Sequence, residues 1–397
     1  MELKYIKLED LTINGKGHYG IVASAVPFSE ELYTYLRITD INDDGTLNVQ
    51  DLKSVDSPDA KDYILRENDI VFARTGASTG RNYFYNSKDG IFVYAGFLIK
   101  FSINPIKVNP KYIKYYCLSE NYKNWIYSFN TGSTRGNINA QTLASLVIPI
   151  PPRNQQNFLV DILSSIDDKI ELNNKINENL EQQAQAIFKN WFVDNKIQNG
   201  TIGDYCDIKS GYAFKGAWWQ DEGIKVIRIG DIEQDNLNLT NCNKVSNDKI
   251  KIAKDFLVKG GDFVIAMTGA TIGKFAIVPE YDEPILVNQR VGKFFLGENP
   301  LERIPFIYCT MKLPEVIGEF INRGQGSAQP NISTTDIKTI PCYMPSQDEV
   351  NKFNEKFSPL FEKVVLNQKE NQYLINLRDR LLPKLMSGEI DVSKLEI

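Results

Sequence analysis

The sequence is poor in the residues that most often perform covalent chemistry. It holds one histidine in 397 residues, His18, in the turn-like setting "NGKGHYG". A Ser–His or Cys–His nucleophile system would have to use it, and no GxSxG nucleophile elbow is present. The five cysteines, Cys117, Cys206, Cys242, Cys309 and Cys342, are odd in number, scattered and without a CxxC pair. That spacing fits reduced, buried thiols better than a disulfide framework or a zinc site. No run approaches the 18 apolar residues of a membrane-spanning helix, and the opening "MELKYIKLED" lacks a hydrophobic signal core, so the expected location is the cytoplasm. A basic surplus is missing too. Net charge is −5, and residues 151–195 alone carry 4 Lys/Arg against 7 Asp/Glu, so charge by itself does not point to nucleic acid.

Two stretches imitate cofactor sites and fail on detail. "GATIGKF" (269–275) has three residues between its glycines where a phosphate-binding loop has four, and Phe275 stands where a magnesium-binding Ser or Thr belongs. "NPKY" (109–112) resembles the NPPY tetrad of amino-methyltransferases without its second proline, and no glycine-rich cofactor turn accompanies it. No cofactor, metal or catalytic residue is expected in this chain.

What the sequence does have is a repeat. "YLRITDI" (35–41) recurs as "VIRIGDI" (226–232), and "DYILRENDIVFARTGASTGR" (62–81) as "DFLVKGGDFVIAMTGATIGK" (255–274). "GSTRGNIN" (132–139) recurs as "GSAQPNIS" (326–333). The order is kept and the offset stays between 191 and 194, which marks an internal duplication covering almost the whole chain. With 42% hydrophobic and 24% charged residues, the chain has the composition of a globular protein. Each half opens with short β-like runs such as "DIVFA", "GIFVYAGFLIKF", "DFVIAM" and "KFAIV", set between Gly, Asn, Asp and Pro turns. Short helical stretches follow, then a proline-rich close, "VIPIPP" or "IPCYMP".

Each half ends in a long polar segment with a heptad stripe. Leu159, Ile166, Asn173, Leu180 and Ile187 are seven apart, and Phe353, Leu360, Asn367, Leu374 and Leu381 fall 194 residues later. The stripe wants a partner helix, and the other copy is the simplest one. Asn173 and Asn367 sit at matching seam positions, either buried and fixing register or exposed at the seam edge. Pro359 and Pro383 predict a kink or fraying in the second helix.

Two half-length repeats, each a β-rich domain followed by a long helix, resemble the specificity (S) subunit of type I restriction–modification systems. "GSTRGNINAQTLASLVIPIPPRNQQ", "AIFKNWFVD", "LRDRLLPKLMSGEI", "SGYAFKGAWW", "VIRIGDI" and "VNQRVGKFF" are similar to that family's motifs. The implied fold is α+β: two duplicated β-rich target-recognition domains separated by two long helices that form an antiparallel coiled coil with a pseudo-two-fold axis. The expected boundaries are 1–151 and 196–345 for the domains, 152–195 and 346–397 for the helices. The resemblance implies a non-catalytic subunit whose domains each read one half of a bipartite, asymmetric DNA target, with the helices setting the unread gap. Implied partners are double-stranded DNA, two methyltransferase (M) subunits that bind S-adenosylmethionine, and restriction (R) subunits; no membrane is involved. A scaffold or decoy that binds M subunits without reading DNA is the alternative.

Under that reading Gly76, Gly80, Gly269 and Gly273 either bring backbone amides close to a phosphate or only permit a tight turn. Arg74, Arg81 and Lys274 would lie near the DNA backbone. Base reading should use residues that differ between copies: Lys16, His18, Tyr19, Arg81, Tyr83 and Tyr85 in the first, Lys215, Trp218, Trp219 and Arg290 in the second. The tryptophans fit a core equally well. Gln155, Gln156, Trp191 and Phe192 are candidates for docking an M subunit.

Overall fold

A computed structural model describes residues 3–49, 51–129, 137–194, 200–233, 235–239, 242–324, 330–344 and 346–390. The chain divides into two compact units, Met1–Asp168 with Ile375–Ile397, and Lys169–Leu374. Each unit is thus one β-rich half completed by pieces of both long helices.

In the first unit one four-stranded sheet runs His18–Tyr19, Leu98–Ser102, Asp69–Ala73, Asn82–Phe84, all antiparallel. A second runs Ala25–Pro27, Lys53–Val55, Tyr33–Leu36, Phe92–Tyr94, and its last pair is parallel. The strand Asp69–Ala73 is buried at every position, as the apolar run Ile70–Ala73 requires of a central strand. Short helices Pro110–Tyr116 and Glu120–Tyr127 bring Tyr112, Tyr115 and Tyr122 onto Phe72 and Phe101. Leu159, Leu163, Leu382 and Leu385 of the long helices close the same core.

The second unit repeats the first sheet strand for strand and adds a fifth strand, Leu257–Val258, to the second. Its central strand Phe263–Ala266 pairs Phe263 with Phe294 and Ala266 with Val291; the first unit pairs Ile70 with Phe101 and Ala73 with Leu98, 193 residues earlier each time. The buried ion pair Asp69–Lys100 at 3.2 Å recurs as Asp262–Lys293 at 2.7 Å. The repeated R-x-x-D is a structural turn: the Arg37 amide donates to Asp40 Oδ2 and the Arg228 amide to Asp231 Oδ2, each at 2.8 Å. The motif caps a short 3₁₀ turn and leaves its carboxylate buried.

The long helices are Arg153–Phe188, prolonged by a π-type turn Lys189–Val193, and Gln347–Ser387. The second runs through Pro359 and Pro383 as one element. Inside the second unit the two helices run antiparallel, since Asn173 meets Asn371 and Asn177 meets Asn367. Asn173 and Asn367 are both buried, 1% exposed, as are Leu159, Ile166 and Phe353; Leu180, Leu360, Leu374 and Leu381 are half-buried. Ile187 is a correction: it is 37% exposed, and Ala184 and Phe188 take its place against Phe306 and Phe353. A strict seven-residue stripe drifts about 20° per heptad around a helix of 3.6 residues per turn, so its far end leaves the seam.

Candidate nucleic-acid interface

The repeated glycine loop links the two strands of a hairpin in each unit. In the first, Gly76 and Gly80 have φ of +72° and +88°; in the second, Gly269 and Gly273 have +75° and +83°. A side chain at Gly80 would place its Cβ 2.6 Å from Ile126, so this glycine also lets the turn lie on the helix Glu120–Tyr127. The turn's amides are largely spent internally. Gly80 N donates to Ala73 O at 2.8 Å and Gly273 N to Ala266 O at 2.9 Å, while Gly269 N donates to Pro330 O at 2.8 Å. Of the two readings of this loop, the tight turn accounts for its glycines.

Around that turn three segments converge identically in both units. The Arg74 amide donates to Phe97 O and the Ile138 amide to Arg74 O; the Met267 amide donates to Arg290 O and the Ile332 amide to Met267 O, all at 2.9–3.0 Å. Thr75 bridges Asn137, and Thr268 bridges Asn331. In the second unit the result is a surface concavity lined by Met267, Thr268, Gln289, Arg290, Pro330 and Asn331. Residues 132–136 of "GSTRGNIN" and 326–329 of "GSAQPNIS", the stretches leading into this corner, lie outside the described residues.

The candidate side chains separate into two groups. Arg74 lies over the Tyr19 ring, 5.1 Å from its centre, while the Tyr19 hydroxyl accepts the Ala140 amide at 3.1 Å. Next to them, His18 pairs with Lys100 across the strands; burial first, then Lys16 and Lys100, hold its imidazole below its ordinary pKa and so neutral near pH 7. Lys16 is exposed in the preceding turn. Arg290 is exposed at the second unit's corner, and Lys274 is half-buried at the end of its glycine turn. Lys215 is exposed over Trp218 at 5.5 Å, with Lys249 on the same ring at 4.9 Å.

Other candidates are taken up by the fold. Tyr83 and Tyr85 are buried core residues, their hydroxyls donating to Asp89 and to Gly90 O at 2.7 and 3.0 Å, so neither faces a base. Arg81 grips Asp43 through Nε and Nη2 and donates to Ile41 O, which ties a neighbouring turn. Trp218 and Trp219 pack on the apolar cluster around Phe214 and Val226, Trp218 stacking near parallel on Tyr212. Gln156 accepts the Asn109 amide and donates to Pro151 O, Gln155 is buried beside it, and Phe192 is 1% exposed with Trp191 packed on the same core, so these four are not an outward docking face. Lys209, absent from the sequence-based candidates, holds His18's place in the second unit: it pairs with Lys293 as His18 pairs with Lys100.

Among the described residues no group of three or more His, Cys, Asp or Glu could hold a metal, and all five cysteines are buried and free. Burial pushes the Cys206 and Cys342 thiols up to about 12, far from a reactive thiolate. No described helix is long and apolar enough to cross a membrane.

Comparison with known proteins agrees with the duplication. The family model described as the type I restriction modification DNA specificity domain matches twice, at residues 10–182 and 195–375. The chain is 28% identical over 319 residues to the type I restriction enzyme MjaIX specificity subunit of Methanocaldococcus jannaschii, spanning 72% of this chain and 71% of that one. It is 24% identical over 424 residues to the HindI specificity subunit of Haemophilus influenzae, spanning 86% and 90%. The crystal structure of a type I restriction–modification S subunit from M. genitalium shares the fold, with a TM-score of 0.50 at 18% identity over 97% of this chain and 96% of that one. The chain belongs to the type I restriction–modification specificity family, whose named members are specificity subunits and not the catalytic chains.

Proposed function

We propose that this specificity subunit reads a bipartite, asymmetric DNA target, one half-site per unit, and that its long helices set the unread gap between the halves. The observation that carries the reading is the repeated register: the same strand pairing, the same buried Asp–Lys pair and the same three-segment corner occur in both units, 193 residues apart. Two copies of one reading frame, carrying different exposed side chains, suit a target of two unlike halves.

Catalysis then belongs to partners. Two M subunits would bind S-adenosylmethionine and methylate adenines, and R subunits would join them to cut unmodified DNA. This chain's own part is to position the target for those subunits.

The test is single-molecule mapping of modified adenines in DNA from cells carrying this chain with its M partner, and from cells lacking it. The expected result is a split motif with a fixed gap that disappears with the chain. An intact M complex that modifies no chain-dependent motif would overturn the reading and leave a scaffold or decoy.

A further inference from the structure

The glycine-turn corner places one arginine in each unit, but not at the same point of the repeat. At the two repeat positions joined by a backbone hydrogen bond, the first unit has Arg74 and Phe97, and the second has Met267 and Arg290. The arginine and the large apolar residue have changed places across that bond. Sequence comparison sees a loss, Met267 in place of Arg74. The fold shows that at this pair of positions each unit keeps one arginine.

Three further observations bear on what the corner could hold. The Nε of Arg74 is buried and finds no partner among the described residues, although the guanidinium is held against Tyr19. In the second unit the same is true of the Thr268 hydroxyl, on a residue only 8% exposed that lines the concavity beside Arg290. A buried donor without a partner costs free energy unless a ligand supplies the acceptor. The rest of the corner is also common to the two copies: Thr75 and Thr268, Asn137 and Asn331, Gly76 and Gly269.

What two half-sites of different sequence have in common is the phosphate backbone, whereas base readers must differ. We propose that the corner is a duplex-backbone contact repeated once per unit, Arg74 holding one phosphate in the first and Arg290 one in the second, with Thr268 donating beside Arg290. The inference rests on the DNA-reading function and assigns Arg290 to the backbone instead of to a base. By contrast, the concavity between Phe28 and Ile91 is lined by Glu30 and Glu31 and has the wrong sign for a phosphate.

The test uses the full chain in complex with its M subunits, titrated by fluorescence anisotropy against the mapped target duplex and a scrambled duplex over a range of salt. Arg74→Ala and Arg290→Ala should each weaken both duplexes in parallel, by about tenfold, as expected for a charged hydrogen bond. Each should also lower the slope of log affinity against log salt by about 0.9, the share of one phosphate. Arg290→Lys should keep the slope, and the letters of the modified motif should not change. Relaxed letters in one half-site, with scrambled-duplex binding intact, would make that arginine a base reader and overturn the assignment. So would unchanged affinity and slope in variants whose thermal unfolding matches the wild type. A wild-type complex with no preference for its target would instead sink the DNA-reading function itself.

Discussion

Asn173 and Asn371 meet side chain to side chain in the buried seam of the second unit, Nδ2 of the first donating to Oδ1 of the second at 2.9 Å. The 194-residue repeat carries this pair onto Asn367 and Asn177, which are bonded in the same sense at 2.7 Å. Asn173 also donates to Glu370 at 2.8 Å and Asn371 to Asn174 at 2.7 Å, while Lys169 pairs with Glu370 at 3.1 Å. The helices therefore carry a polar ladder where an apolar seam would be more stable, and only one alignment satisfies it.

Removing one rung member takes a buried hydrogen bond from the other, which keeps its second partner, Glu370 for Asn173 and Asn174 for Asn371. Asn371→Leu should destabilise the second unit by about 0.5–1.5 kcal/mol, because the buried Asn173 amide loses one of its two acceptors. Asn173→Leu combined with Asn371→Leu should recover much of that loss, since no buried amide then remains at that rung. Denaturant unfolding of both variants checks this; equal losses in the single and double variants would show that packing, and not the hydrogen bond, is what the ladder supplies.

In the first unit Asp167 is the point where a domain grips both long helices. Lys114 Nζ, the Tyr115 hydroxyl and Arg378 Nη1 reach it at 3.0, 2.8 and 3.2 Å. Burial alone would raise its pKa, but Lys114, Tyr115 and Arg378 outweigh it and hold the carboxyl below its ordinary value. A folded value below the unfolded one means stability that is present above about pH 4 and lost as pH falls through that region. Asp167→Asn should cost about 1.5–3 kcal/mol at pH 7. The gap from wild type should close as unfolding is repeated at pH 5, 4 and 3; a constant gap would mean that the carboxylate's charge is not what holds the joint.

How far the sequence revealed this can be judged at particular residues. The duplication was legible because identical turns need identical glycines, and the long helices because a heptad stripe on a polar segment has few other uses. Asn177 and Asn371 were not, because each pairs with an asparagine four places from its own repeat equivalent, which only an antiparallel alignment reveals. Tyr83, Tyr85 and Arg81 looked like surface readers because an aromatic or an arginine beside a glycine loop gives no sign of where its polar atom bonds. The arginine exchange between Arg74 and Arg290 was invisible for a related reason: the two positions touch through a backbone hydrogen bond across 23 residues of chain in each unit.

The two glycine turns are alike in backbone and unlike in surroundings, which separates strain from crowding. A Cβ at Gly76 meets nothing within 4 Å, at Gly80 it meets Ile126 at 2.6 Å, and at Gly273 it meets Phe320 at 3.3 Å. Gly76→Ala should show the cost of a positive φ alone, about 1–2 kcal/mol. Gly80→Ala should cost more than Gly76→Ala by thermal unfolding, and more than Gly273→Ala, where the neighbour need give only slightly. The reverse order would mean that the helix Glu120–Tyr127 moves aside without loss.

The ladder also says where the helices can be lengthened. The rungs Asn173–Asn371 and Asn177–Asn367 are symmetric about the level of Lys175 on one helix and Lys369 on the other. One heptad inserted after each of these lysines adds facing segments of equal length and leaves both rungs paired. The helices then grow by about 10.5 Å, at 1.5 Å per residue. If they set the unread gap, the modified motif should keep both half-sites and gain about 3 base pairs between them, at 3.4 Å per base pair. Insertion into one helix alone should break the facing register and abolish modification. A doubly extended chain that modifies DNA with its original gap would show that something other than these helices fixes the distance between the two half-sites.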